Sequence, residues 1–497
     1  MRQLTGTARA WVSVLRQEIA SSELLPQAYA HYQPLLADAL CFFLTRISPV
    51  RLQQIFVRQL QLPISTSTAQ RVVCLLEQLP ALHKLGQVVA RDRRLNAAFR
   101  RRLQQLESLT PQLPTAHVVR LLGGAFKGWE EAGIALGAEP LAEGSVAVIM
   151  PFVWRDAPGG PRPGVFKLLK PGIRVKLEED LEILSQLGAF LDENCEKLHL
   201  PVLEYKGTFD SIRDLLLHEV RFEEEQDHLA EAARVYREND RVTVPTLFPF
   251  CSSKLTTMER LFGQKVPGNQ LVQPCVREST AQAICRALIA TPIFSPKSAS
   301  LFHADPHAGN LLITDDGHVG ILDWSLTGRL QKRQRIDLVQ MLLGAFTLDV
   351  RWIETAVERL SQGRFNRPVL RSLLEHSLQE LRDGISPGIH WLTRLLDQLT
   401  LEAGLRLDRN LLLFRKSLLT LDGVVSDLTA NKEEPTNALL DEAVIAGFVE
   451  QWMLEWPRRF LAPFEDRSFG THVSAADVFR LMLSVPLGFV RGCGTTR

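Results

Sequence analysis

Within "FHADPHAGNLLITDDGHVGILDW", residues 302–324, two aspartates and an asparagine recur at spacings that suit divalent-cation chemistry. Asp305 and Asn310 are separated by four residues. Asp323 follows a run patterned as a β-hairpin: two alternating apolar stretches flank Asp315-Asp316-Gly317, where glycine supplies positive φ without steric cost. A hairpin returns the chain to its starting end, so Asp323 is expected beside Asn310 and Asp305. Two carboxylates and an amide oxygen are hard ligands suited to Mg²⁺, which takes one or two carboxylates together with substrate phosphates. A second reading uses the alternation of His303, Asp305 and His307, which on a strand would project from one face as metal ligands. Pro306 and the pair Ala308-Gly309 argue against a strand that persists there.

Upstream, Lys167 in "GVFKLLKPG" stands among strand-forming apolar residues. A lysine buried there is costly without a partner. Glu225 in "HEVRFEEEQ" is the expected partner, with Glu224 as its competitor. A lysine held this way offers its charge to phosphate oxygens. The bland alternative, a snorkelling edge lysine, is weakened by Lys170, already available for that surface role.

These residues need elements to position them. Residues 1–115 carry apolar positions at three- and four-residue spacings and read as a helical extension. Residues 116–262 read as a small β/α lobe, with "GSVAVIMPFVW" and "GVFKLLK" as strands around the Pro/Gly-rich "DAPGGPRPG". Residues 263–435 are mainly helical apart from the acidic segment, and 436–497 form a helical tail. The fold class is therefore α+β. The order of elements, and the spacing from Asp305 through Asn310 to Asp323, match a two-lobed protein-kinase-like fold with an N-terminal helical extension and a C-terminal helical tail. The 497 residues include 57 basic and 56 acidic side chains, so no global field draws the chain to nucleic acid. Seven cysteines without a C-x-x-C pair argue against a disulfide framework and fit a cytoplasmic setting. The amino terminus lacks a continuous signal-peptide core, and no run reaches the roughly 18–20 apolar residues of a spanning helix.

Four motifs in order, "HKLGQVVARD", "KPGI" after a strand lysine, "HEVRFEEEQ" and "FHADPHAGN" followed by "LDW", resemble the UbiB/AarF family of atypical kinases, associated with ubiquinone biosynthesis. The resemblance covers about residues 80–330 and extends to the "LFRKSLLTLDGVV" helix. It implies ATP and Mg²⁺ as ligands, and ATPase or small-molecule kinase activity. It also implies that Lys84, Gly86 and Gln87 form the K-x-G-Q motif of the extension and that Glu219 is the glutamate of E-x-D. Lys167 and Glu225 match the phosphate-facing lysine and its partner, and Asp305 the catalytic-loop aspartate. Asn310 and Asp323 match the metal ligands. Ala142, Gly144 and Ser145 match the alanine-rich phosphate loop. Met258 would border the adenine, and the backbone from Glu259 to Leu261 would hydrogen-bond it.

The departures are Glu143 and Val148 in the phosphate loop, Arg221 at the aspartate of E-x-D, and Asp323-Trp324-Ser325 in place of D-F-G. On a helix Arg221 and Glu225 would share a face, so Arg221 is expected to compete with Lys167. In the tail, "EQWMLEWPRRFLAPF" sets Trp452, Trp456 and Phe460 beside Arg458 and Arg459. That composition suits either a helix docked on the kinase core or an interfacial helix making peripheral membrane contact. The expected partners are thus ATP, an isoprenoid or lipid ligand, and a membrane surface, without nucleic acid.

Overall fold

The computed structural model describes residues 2–22, 24–25, 27–89, 97–104, 113–201, 204–266, 274–429 and 437–492. Its contacts divide the chain into two compact units, residues 1–227 with 246–260, and residues 228–245 with 261–497.

The first unit holds the helical extension and an antiparallel sheet. The sheet runs β1 (Ile134–Leu136), β3 (Ala147–Trp154), β4 (Arg162–Leu169) and β6 (Leu255–Glu259), with β2 (Ala142–Glu143) paired to β3. Successive residues of β4 face opposite ways. Phe166 joins Val148, Phe152 and Leu168 in one buried cluster, and its ring stacks on Phe152 at 4.1 Å. Lys167 registers with Ile149 on one neighbour and Thr256 on the other, so it occupies a central strand rather than an edge.

The extension shares a second core with the helix Ile173–Asn194: Phe43, Leu52, Ile55, Leu75 and Leu79 pack with Leu177, Leu181 and Leu184. A buried ionic group fixes this packing. Arg51 donates to Asp180 Oδ1 at 2.7 Å, and the Ala81 N–H donates to Asp180 Oδ2 at 3.2 Å. Burial pushes the Asp180 carboxyl up to about 6 against the opposing pull of Arg51.

In the second unit a four-stranded sheet runs β5 (Val242–Thr243), β10 (Val319–Ile321), β9 (Leu311–Thr314) and β7 (Gly263–Lys265). A two-stranded sheet pairs β8 (Ala299–His303) with β11 (Thr327–Gln331). Strands β9 and β10 form the hairpin expected around Asp315-Asp316-Gly317, with Gly317 at φ +84°. The tail helix Asn437–Arg459 comes so close to its neighbour that a Cβ at Gly447 would meet Ala290 Cβ at 2.6 Å.

Polar groups then lock the tail. Glu455 accepts from Gly470 N at 2.6 Å and Thr471 Oγ1 at 2.8 Å, and Arg459 pairs with it at 2.8 Å. Asp477 takes two hydrogen bonds from Arg467, at 2.7 and 2.6 Å. Arg459 therefore turns inward, stacking on Trp452 and Phe469, instead of lying in an outward basic face. Outward, the same segment exposes Met453, Leu454, Trp456, Phe460, Leu461 and Phe464. Among the described residues no helix is long and apolar enough to cross a membrane.

Candidate active site

In the first unit, Lys167 Nζ meets Glu225 Oε1 at 2.6 Å, with the two residues 7% and 2% exposed. The ammonium also lies 5.5 Å from the centre of the Phe222 ring. Glu225 comes from the first turn of the helix Phe222–Val235 and is steadied by its neighbour Gln226, which donates to Leu255 O and Thr256 Oγ1. Glu224 points elsewhere and takes His218 at 2.8 Å and Arg221 at 3.2 Å. The expected competition of Arg221 for Glu225 is thus corrected. Arg221 precedes the helix, so the four-residue helical face argument does not reach it, and its guanidinium serves Glu224.

Lys84 pairs with Glu219 at 2.9 Å, joining the extension's helix Pro80–Val89 to the end of the helix Tyr205–His218. The Gln87 side chain lies outside the described residues.

Ala142 lies on β2, and the turn through Gly144 and Ser145 into β3 is closed by Gly144 N donating to Ala147 O at 2.8 Å. Glu143 does not face solvent. Its carboxylate takes Lys170 Nζ at 2.6 Å and the Leu113 N–H at 3.0 Å, so the charge that would repel a phosphate is engaged within the fold. Met258 registers with Val165 on β4. The Glu259 N–H donates to Thr246 O at 2.8 Å and the Arg260 N–H to Pro163 O at 3.2 Å. Both donors are spent in the sheet and its flank, so at Glu259 it is the carbonyl that could meet a base. Leu261 lies in the second unit, where its Cδ1 would stand 3.1 Å from a Cβ at Gly320.

In the second unit, His303 at the end of β8 organises the acidic segment. Its Nε2 lies 3.1 Å from Leu322 O and 3.0 Å from Asp323 O, and its Nδ1 accepts from the Asp305 N–H at 3.2 Å. That pattern requires the neutral tautomer protonated on Nε2, and burial depresses the imidazole pKa in keeping with it. Asn310 Nδ2 donates to Asp305 O at 3.1 Å, which leaves Oδ1 as the acceptor of that amide. The Leu322 N–H donates to Asn310 O at 2.8 Å, carrying the hairpin's return strand back to the loop.

Asp323 has φ +46°, a conformation side chains rarely adopt, and it is held there by His303 and by the Ser325 N–H on its Oδ1 at 3.1 Å. Strain of this kind persists where surroundings over-determine it and gathers at functional sites. Trp324, buried, packs edge-on against His303 at 4.9 Å. His307 follows the loop with Nε2 3.8 Å from Asp305 Oδ2, and its Nδ1 accepts from Gly309 N. It does not continue a strand with His303, because β8 ends there.

Among the described residues no group of three or more His, Cys, Asp or Glu has metal-holding geometry. The zinc-like reading of His303, Asp305 and His307 accordingly has no support. The acceptor oxygens of Asn310 and Asp323 fit Mg²⁺, which draws its remaining ligands from phosphate and water. One residue at this site escaped sequence reasoning: Lys416, in the helix Arg409–Thr429, donates to Asp305 Oδ1 at 3.0 Å.

Comparison with known proteins shows the family and the fold. The family model for the ABC1 atypical kinase-like domain matches residues 106–357, just over half of the chain. An uncharacterised chloroplastic aarF domain-containing protein kinase of Arabidopsis thaliana is 27% identical over 322 residues, covering 63% of this chain and 57% of that one. A probable protein kinase UbiB of Marinobacter nauticus is 24% identical over 416 residues, covering 78% and 70%. The chain thus spans little more than half the length of the first of these relatives and 70% of the second. A Mycobacterium tuberculosis protein solved in complex with erythromycin shares the fold, with a TM-score of 0.50 and 20% identity over 69% of this chain and 85% of that one. The α+β architecture is kinase-like, and the chain belongs to the UbiB/AarF family of ABC1 atypical kinase-like proteins.

Proposed function

We propose that this protein binds ATP with Mg²⁺ and acts as an ATPase or as a kinase for a small molecule or lipid, in isoprenoid quinone metabolism. The observation that carries the reading is the buried Lys167–Glu225 pair on a central strand. A desolvated ammonium so placed is suited to phosphate and has little structural justification, since an apolar pair would pack as well. In this reading Lys167 orients the α- and β-phosphates, and Asn310 and Asp323 hold Mg²⁺. Asp305 positions the attacking oxygen and accepts its proton. Lys84 and Gln87 border the nucleotide from the extension, Glu219 borders it from the end of the helix Tyr205–His218, and Ala142, Gly144, Ser145, Met258, Glu259 and Leu261 complete its surroundings. The segments 1–115, 116–262, 263–435 and 436–497 are the corresponding functional divisions.

A second reading is a nucleotide-gated lipid-handling protein with little turnover. It is favoured by the exposed apolar face of the tail and by Trp324-Ser325 after the metal-binding aspartate. An exposed patch of this kind suits a lipid or membrane surface, which would place a cytoplasmic protein at the membrane periphery. Thermal stabilisation by Mg·ATP, measured beside phosphate release with and without lipid vesicles, separates the two. Stabilisation with release supports an enzyme, and stabilisation without release under any condition supports the binding protein. No stabilisation by Mg·ATP rejects both.

A further inference from the structure

The segment Phe302–Asn310, the end of β8 and the loop after it, contains no lysine or arginine. A carboxylate that orients a nucleophile beside a phosphoryl group nonetheless needs positive charge close by, because negative charge gathers there during transfer. The chain brings that charge from far along the sequence. Lys416 Nζ donates to Asp305 Oδ1 at 3.0 Å. Its neighbour Ser417 donates to His303 O at 2.8 Å, pinning this turn of the helix to the strand that leads into the loop.

Arg415, the other cation at this point of the helix, pairs with Asp397. An ammonium carries three donors, and one of them serves Asp305. The Lys416 side chain is 44% exposed, so the remaining donors are open to a ligand. As a fold-stabilising contact the pair would be worth little, because half-exposed ion pairs contribute roughly 0–1 kcal/mol.

We propose that Lys416 is a catalytic residue that hydrogen-bonds the transferring phosphoryl group while fixing the rotamer of the Asp305 carboxylate. The inference rests on the nucleotide reading above. In the transfer a water or alcohol oxygen bonds to the γ-phosphorus. The bond from that phosphorus to the bridging oxygen breaks, and its electron pair leaves on ADP. The acceptor's proton passes to Asp305 and on to solvent. Lys416 keeps its own proton throughout and contributes hydrogen bonds.

The test compares wild type, Lys416→Met and Lys416→Arg by thermal shift with Mg·ADP and with Mg·ADP plus aluminium fluoride, which mimics the phosphoryl group in flight. Wild type should gain stability from Mg·ADP and more from the fluoride. Lys416→Met should keep the first gain and lose the second, and Lys416→Arg should keep both. In turnover Lys416→Met should lower kcat about 100-fold while KM for ATP moves less than about threefold. A merely structural lysine would move neither the fluoride gain nor kcat apart from KM. If Mg·ADP stabilises wild type but Lys416→Met responds to fluoride as wild type does, or wild type gains nothing from fluoride, this inference fails and the nucleotide reading stands. If Mg·ADP does not stabilise wild type, the nucleotide reading fails and takes this inference with it.

Discussion

Replacing Lys167 with methionine tests the buried pair without reference to catalysis. Methionine matches the lysine stem in length, so packing is nearly conserved while the ammonium is lost. Glu225, 2% exposed, then carries a charge whose partner at 2.6 Å is gone. With an effective dielectric near 20, the direct attraction at that separation is roughly 6 kcal/mol, an upper bound before desolvation is offset. Breaking a buried pair from one side typically costs about 3–5 kcal/mol. For a unit of this size that corresponds to a fall of roughly 6–20 °C in its melting temperature.

Adding Glu225→Gln removes the second charge and should recover most of the loss, since neutral replacement of both partners is often tolerated. Differential scanning calorimetry of the single and double variants reads both numbers. A single-variant loss below about 1 kcal/mol would mean that the pair is not desolvated as described. Absence of recovery in the double variant would show that methionine disturbs packing rather than charge.

Three further perturbations follow from particular contacts. Glu143→Ala strands the Lys170 ammonium and the Leu113 N–H and should cost about 1–3 kcal/mol in urea denaturation, whereas an unchanged midpoint would show that the carboxylate is solvated. Arg221→Asp should leave ATP hydrolysis at the wild-type rate, because Arg221 serves Glu224 and not the Lys167 partner, and a raised rate would contradict that assignment. Burial, reinforced by Arg335, pushes the His472 imidazole from 6.5 down to about 4. The unfolded chain therefore binds more protons between those values, and stability present above pH 6.5 is lost as the pH falls toward 4. From pH 7 to 5 this group should cost the second unit roughly 2 kcal/mol, and His472→Asn, which tolerates the φ of +60°, should flatten that slope. An unchanged slope would show that other groups govern the acid limb.

What was legible in the sequence was local. The Asp-Gly turn with alternating flanks announced the hairpin of β9 and β10, and the apolar neighbours of Lys167 announced a buried strand position, because both depend on residues close in the chain. Glu225 could be narrowed to a pair with Glu224 but not chosen from periodicity alone. Which of two adjacent glutamates faces inward depends on where the helix begins, and that same boundary, at Phe222, sets Arg221 off the helical face of Glu225. Lys416 was invisible for another reason. It reaches Asp305 across 111 residues, and nothing in "LFRKSLLTLDGVV" marks which cation turns toward the loop. Arg459 looked like part of a basic surface because its partners Thr471 and Phe469 lie beyond the helix that carries it.

The most direct measurement is calorimetric titration of ATP into wild type and Asp323→Asn, each with Mg²⁺ and with chelator. Asparagine tolerates the left-handed backbone at this position, so the substitution removes charge and leaves the turn. Mg²⁺ should strengthen ATP binding to wild type and make no difference to the variant. Equal strengthening by Mg²⁺ in both proteins would contradict it.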